Sequence, residues 1–136
     1  MKRSLVLIAI MTTCGWANAV PGNGRNPEAV AKVSAGELTV ANASWWGFDS
    51  EDATAALQGA IDSKAKTVIV PYMGKPWIIR PNRDTPHGRC ALVLRDNLEL
   101  VFEPGVVVLA KKGEFKGGMD SLIVADDQSD ITIRGY

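Results

Sequence analysis

Asp96-Asn97-Leu98-Glu99-Leu100 is echoed later in the chain by Ser129-Asp130-Ile131-Thr132-Ile133, in the same order of polar, polar, aliphatic, polar, aliphatic. Successive strand residues point to opposite faces, so Leu98, Leu100 and Phe102 in the first copy, and Ile131 and Ile133 in the second, face inward. Glu99, Thr132 and Arg134 then face water. Two segments of one pattern are expected where one turn of a coiled chain sets its residues over those of another.

Working outward from this echo, period-two apolar segments fill the C-terminal half. They are Thr67-Val68-Ile69-Val70, Trp77-Ile78-Ile79-Arg80, Ala91-Leu92-Val93-Leu94, Leu98 to Phe102, Val106 to Ala110, Ser121 to Ala125, and Ile131 to Arg134. Short, β-branched and bounded by Pro or polar turns, they read as strands. Most of the later connections are too short for a crossover helix, which excludes an ordinary βαβ sheet. The two-residue Asn-Gly or Asp-Gly links of hairpins are absent, so a coil of strands fits better.

Before these strands the period is near four. Ala53, Ala56, Leu57, Ala60 and Ile61 form one apolar stripe with Gln58 and Asp62 on the polar face, which predicts an amphipathic helix packed on one side. Asp49 or Ser50 is expected to cap its start, with Glu51 and Asp52 in the first turn, where the helix dipole favours negative charge. Leu38 to Ala41 reads as a first short strand. Residues 20–37 read as a leader whose start, Val20 to Pro27, is rich in Pro and Gly; a short helix over Glu28 to Val33 is left open because Gly36 interrupts it.

Met1 to Ala19 has the order of a secretory signal: Lys2 and Arg3, the apolar run Leu5 to Met11, and the small-residue ending Ala17-Asn18-Ala19. The run is well short of the roughly 20 apolar residues of a membrane span. Cleavage after Ala19 predicts a secreted or periplasmic protein. It removes Lys2 and Arg3, leaving 13 basic against 15 acidic residues and a net charge of −2, which gives no reason to expect a nucleic-acid partner. It also removes Cys14 and leaves Cys90 alone, so an intramolecular disulfide is not expected. Beside Ala91 to Leu94, Cys90 reads as a core thiol.

Taken in order, these elements resemble the opening of the pectate-lyase or pectin-lyase-like superfamily, which includes polygalacturonases and rhamnogalacturonases. The resemblance is carried by Gly47-Phe48-Asp49-Ser50-Glu51-Asp52-Ala53-Thr54, the helix Ala55 to Asp62, Thr67-Val68-Ile69-Val70-Pro71, Asn97 to Val106 with its Glu103-Pro104-Gly105 turn, and Asp130 to Tyr136. It covers roughly residues 38–136. It departs from the family at Lys64-Ala65-Lys66, where a glycine run is usual, and in the insertion Pro81 to Arg89. The fold it implies is mainly β: a right-handed parallel β-helix with an N-terminal capping α-helix, incomplete at the C-terminus. A helix across the first coil would cover both the strand edges and the apolar interior.

The resemblance implies an intact protein that lyses or hydrolyses a uronate- or rhamnose-containing polysaccharide, met through coils downstream of this chain. The alternative is a non-catalytic β-helix that binds glycans or serves as a surface scaffold. The family's catalytic positions have no counterpart here, so no catalytic, cofactor or metal residue is assigned, no cofactor is called for, and the chain alone is expected to be inactive.

Local candidates read blandly. Asp126, Asp127 and Asp130, with Gln128 and Ser129, make a polar turn rather than a calcium site or acid-base pair. His87 is a solvated loop histidine near Arg83, Asp84 and Arg89, with no nucleophile in recognisable context. Trp45, Trp46 and Trp77 offer flat faces suited to sugars, but Trp45 and Trp46 are expected to pack between the first strand and the cap helix. Asn42-Ala43-Ser44 matches a glycosylation acceptor.

Overall fold

A computed structural model describes residues 22–85 and 88–136. The chain forms α1 (Pro27–Ala35), β1 (Val40–Asn42), a 3-10 turn (Ala43–Trp46), α2 (Thr54–Ile61), β2 (Thr67–Val70), β3 (Trp77–Ile79), β4 (Asn82–Thr85), β5 (Gly88–Val93), β6 (Leu98–Phe102), β7 (Val108–Ala110), β8 (Ser121–Val124) and β9 (Ile131–Arg134).

The strands fall into three small sheets, ordered β1-β2-β6-β9, β3-β7 and β4-β5-β8. Every pairing is parallel except β4 with β5. One pass of the chain lays down β2, β3 and β5, and the next lays β6, β7 and β8 beside them. The echo segments meet in register, Leu98 on Ile131 and Leu100 on Ile133. Their turns match as well. Asn97 and Asp130, each one residue before its strand, both hold left-handed backbone (φ 54° and 57°), which Asn and Asp tolerate better than other side chains. Asp96 fastens one turn to the next: its Oδ1 accepts from Ser129 N at 2.6 Å, and its N donates to Gln128 Oε1 at 2.8 Å.

Stacking in register builds apolar columns. Ala41, Val68 and Leu100 lie over one another and are each fully buried. The column continues to Ile133, which is 52% exposed because β9 is the outer strand of its sheet. Trp77 stands in the core, edge-on to Phe48 with ring centroids 4.8 Å apart, and its indole N–H donates to Pro71 O at 3.0 Å. That bond removes the cost of burying an indole donor.

Helix α2 closes the other end. Ala53, just before it, and Ala56, Leu57, Ala60 and Ile61 within it are all buried, as the stripe predicts; Leu57 and Ile61 contribute about 1.5–3 kcal/mol each. The helix begins later than its acidic approach implies. Neither Asp49 nor Ser50 caps it, and its first turn holds no acid. Asp49 Oδ1 accepts from Glu51 N in a separate turn, while Asp52 Oδ1 takes both the N–H and the hydroxyl of Thr54.

Two further elements differ from the sequence reading. The leader 20–37 contains α1, whose Val33 is fully buried in the core. Asn26 caps it through Ala29 N, Pro27 takes the first turn, and Gly36 ends it in a left-handed conformation, so Gly36 acts as a stop signal and not as an interruption. The insertion Pro81 to Arg89 supplies β4, antiparallel to β5 with Asn82 on Cys90 and Thr85 on Gly88. The signal segment, Cys14 and His87 lie outside the described residues.

The fit of α2 on the 3-10 turn is close enough to predict its response to one methyl group. A Cβ added at Gly59 would stand 2.6 Å from Trp46 Cδ1. Gly59→Ala gains about 1 kcal/mol in helix propensity, but wedging the indole from its seat costs about 1–3 kcal/mol. Urea unfolding is therefore expected to show a less stable variant; a more stable one would mean that Trp46 yields freely.

Candidate functional site

The seam between α2 and the strands contains a cleft of about 620 Å³. Its rim is set by two ties from the start of α2 to β3 and the residue after it: Ala53 N donates to Ile78 O at 2.7 Å, and Arg80 N donates to the Thr54 hydroxyl, Oγ1, at 2.7 Å. Arg80 then extends along the cleft. Its Nε and Nη2 bind Glu114 Oε2 and Oε1 at 2.8 and 2.7 Å, and Asp52 Oδ2 lies 3.7 Å from Nη1. The forked pair with Glu114, followed by the charges of Glu114 and Asp52, holds the Arg80 guanidinium above its usual range. Asp62, Gln58 and Asn82 complete the polar lining.

These groups bind one another. Arg80 is engaged by two carboxylates and Thr54 by Asp52, and Lys111 reaches Glu51 from the next pass at 3.3 Å. The chemistry of the cleft is adhesive: it fastens the helix to two successive passes of the chain.

Gln58 and Arg95 complete the attachment. Gln58 Nε2 donates to Val93 O at 3.0 Å, and Val93 N donates to Gln58 Oε1 at 2.9 Å. The side-chain amide thus stands where a neighbouring strand's peptide would, and covers the edge of β5 beyond its pairing with β4. Arg95 Nε donates to Ile61 O at 2.6 Å, satisfying a carbonyl at the end of α2, and its Nη2 donates to Ala65 O in the connection to β2. Burial pulls the Arg95 guanidinium below its usual range, with the Asp62 charge opposing.

The residues weighed from sequence are not brought together. Cys90 is buried. Asp126, Asp127 and Asp130 are exposed in the turn between β8 and β9, as the turn reading expects. Trp77 is wholly interior, whereas Trp45 and Trp46 are half-buried in the 3-10 turn, with Trp46 against α2. Asn42 caps that turn, its Oδ1 accepting from Ser44 N at 2.9 Å and Ser44 Oγ at 2.7 Å, and Ser44 is buried. Among the described residues there is no cluster of three or more His, Cys, Asp or Glu suited to a metal, and no helix long and apolar enough to cross a membrane. The sequence pattern places Gln58 on the polar face of the helix and does not single out Arg80 or Arg95. The one signal is position, since Arg80 closes the segment Trp77 to Arg80 and Arg95 directly follows the segment Ala91 to Leu94.

Compared with models of known families, with curated proteins and with solved structures, the chain matches none.

The role of Gln58 is open to direct test. Gln58→Leu keeps the bulk but leaves the Val93 N–H and C=O without their partner, which costs about 1–3 kcal/mol. Chemical denaturation is expected to register that loss, together with faster hydrogen exchange at the Val93 amide. Unchanged exchange there would remove Gln58 from the account.

Proposed function

We propose that this chain is the capped N-terminal portion of a right-handed parallel β-helix of the pectate-lyase superfamily, exported behind the signal segment 1–19. In this reading the intact protein lyses or hydrolyses a uronate- or rhamnose-containing polysaccharide. The observation that carries the reading is the parallel register, in which Thr67 lies beside Glu99 and Leu98 beside Ile131. The side-chain bonds between these passes span separations of 31 to 34 positions, the length of one repeat in a coiled chain. The apolar column from Ala41 to Leu100, closed by α2 at one end, is the core such a coil needs.

The catalytic groups belong to coils beyond those described. In the cleft beside the cap, Asp52 and Glu114 are held by Arg80 and serve attachment. The same parallel register supports equally, as a second reading, a β-helix that binds glycans without cleaving them.

The test is to express the product of the full reading frame and incubate it with polygalacturonate and with rhamnogalacturonan. New reducing ends accompanied by the ultraviolet absorbance of an unsaturated uronate identify a lyase; reducing ends without that absorbance identify a hydrolase. Binding without cleavage selects the second reading, and a product that neither binds nor cleaves either polymer contradicts both.

A further inference from the structure

A second cleft, of about 540 Å³, shares no residue with the one around Arg80. It lies where the segment Gly22 to Asn26 crosses the 3-10 turn. That crossing is fixed by backbone bonds, Phe48 N to Asn23 O at 2.8 Å and Asn26 N to Trp45 O at 3.0 Å. Asn23 Oδ1 accepts from Arg25 N at 3.2 Å. Between them Gly47 holds φ 96°, a conformation open to glycine, and the side chains of Asn23 and Arg25 pass 3.7 Å from where its Cβ would stand.

Two cations line this cleft, Arg25 and Lys75, against one acid, Asp49. Arg80, Lys111 and Arg134 each have a carboxylate partner. Among the described residues, Arg25 and Lys75, like Lys64, Lys66, Lys112 and Lys116, make no side-chain ion pair or hydrogen bond; what sets these two apart is that they line one cleft. Both are exposed, and half-buried Trp46 forms the wall beside them, the Cδ1 edge of its indole being seated on Gly59. Asn23 and Ser50 add neutral hydrogen-bonding groups.

We propose that this cleft binds the acidic sugar units of an oligosaccharide. A sugar acid matches its features together: the carboxylate lies between Arg25 and Lys75, the apolar ring face lies on Trp46, and the hydroxyls meet Asn23 and Ser50. The volume is in the range of small-ligand sites. The cleft has a single carboxylate, Asp49, where glycosidic hydrolysis uses a pair, and its proposed role is to hold the polymer. The polymer's identity rests on the function proposed above, but the binding does not depend on cleavage.

The experiment is calorimetric titration of the full-reading-frame product with trigalacturonate and with its fully methyl-esterified counterpart, with tryptophan fluorescence followed in parallel. The acid form is expected to bind, to perturb the fluorescence, and to weaken with added salt. The double variant Arg25→Gln/Lys75→Gln should bind about ten-fold or more weakly while its melting temperature stays as in the parent. Trp46→Phe should weaken both the binding and the optical response. Equal binding of the ester, undiminished binding by the double variant, or no binding of the acid overturns the site. Cleavage that persists under any of these results leaves the enzymatic reading standing, and binding without cleavage leaves the cleft standing without it.

Discussion

The in-register parallel pairing of β2 with β6, and of β6 with β9, is the constraint on which the rest of the structure depends. Parallel neighbours require the chain to travel away and return before it can pair. Here the return path is itself made of strands, β3 and β5 after β2, β7 and β8 after β6, and these pair in parallel in their turn. One register therefore stacks every inward residue on another. A slip of one residue would turn Val68, Leu98 and Leu100 out of the core together.

Such stacking leaves unpaired backbone at the first pass, and the N-terminal elements answer that need. Leu57 and Ile61 cover the apolar end, Gln58 supplies an amide to the edge of β5, and Arg95 closes a carbonyl at the end of α2. Gly59 lets the helix sit against Trp46. Burial declines along the passes: Val68 and Val70 in β2 are fully buried, whereas in β9 Ile131 is partly covered and Ile133 half-exposed. The core is thus anchored at the helix end.

Much of this was legible in the sequence. The echo of Asp96-Asn97-Leu98 in Ser129-Asp130-Ile131 meets as the register expects, and the strands Thr67 to Val70, Leu98 to Phe102 and Ile131 to Arg134 appear with those bounds. The apolar stripe of α2 was read correctly because period four reports burial on one side. Its start was not: Asp49 and Asp52 both have cap chemistry, but each accepts from the residue two positions on, Glu51 and Thr54, and Ala53 N is tied to Ile78 O just ahead of the helix. Strand β4 escaped because Asn82-Arg83-Asp84-Thr85 has no apolar alternation, and its pairing comes from β5. Helix α1 carried its signals at Asn26, Pro27 and Gly36, with Gly36 weighed as a breaker. The cleft at Arg25 and Lys75 was illegible, since those residues are fifty positions apart in the chain and meet only when the Gly22–Asn26 segment lies across the 3-10 turn.

The parallel register is tested most directly by nuclear Overhauser contacts between backbone protons in isotope-labelled protein. The account predicts contacts joining Thr67 with Glu99 and Leu98 with Ile131, and none of the close antiparallel α-proton pairs that hairpins between successive strands would give, apart from β4 with β5. Cross-strand contacts joining β2 to β3 or β6 to β7 in antiparallel order, in place of the Thr67–Glu99 and Leu98–Ile131 contacts, would contradict it.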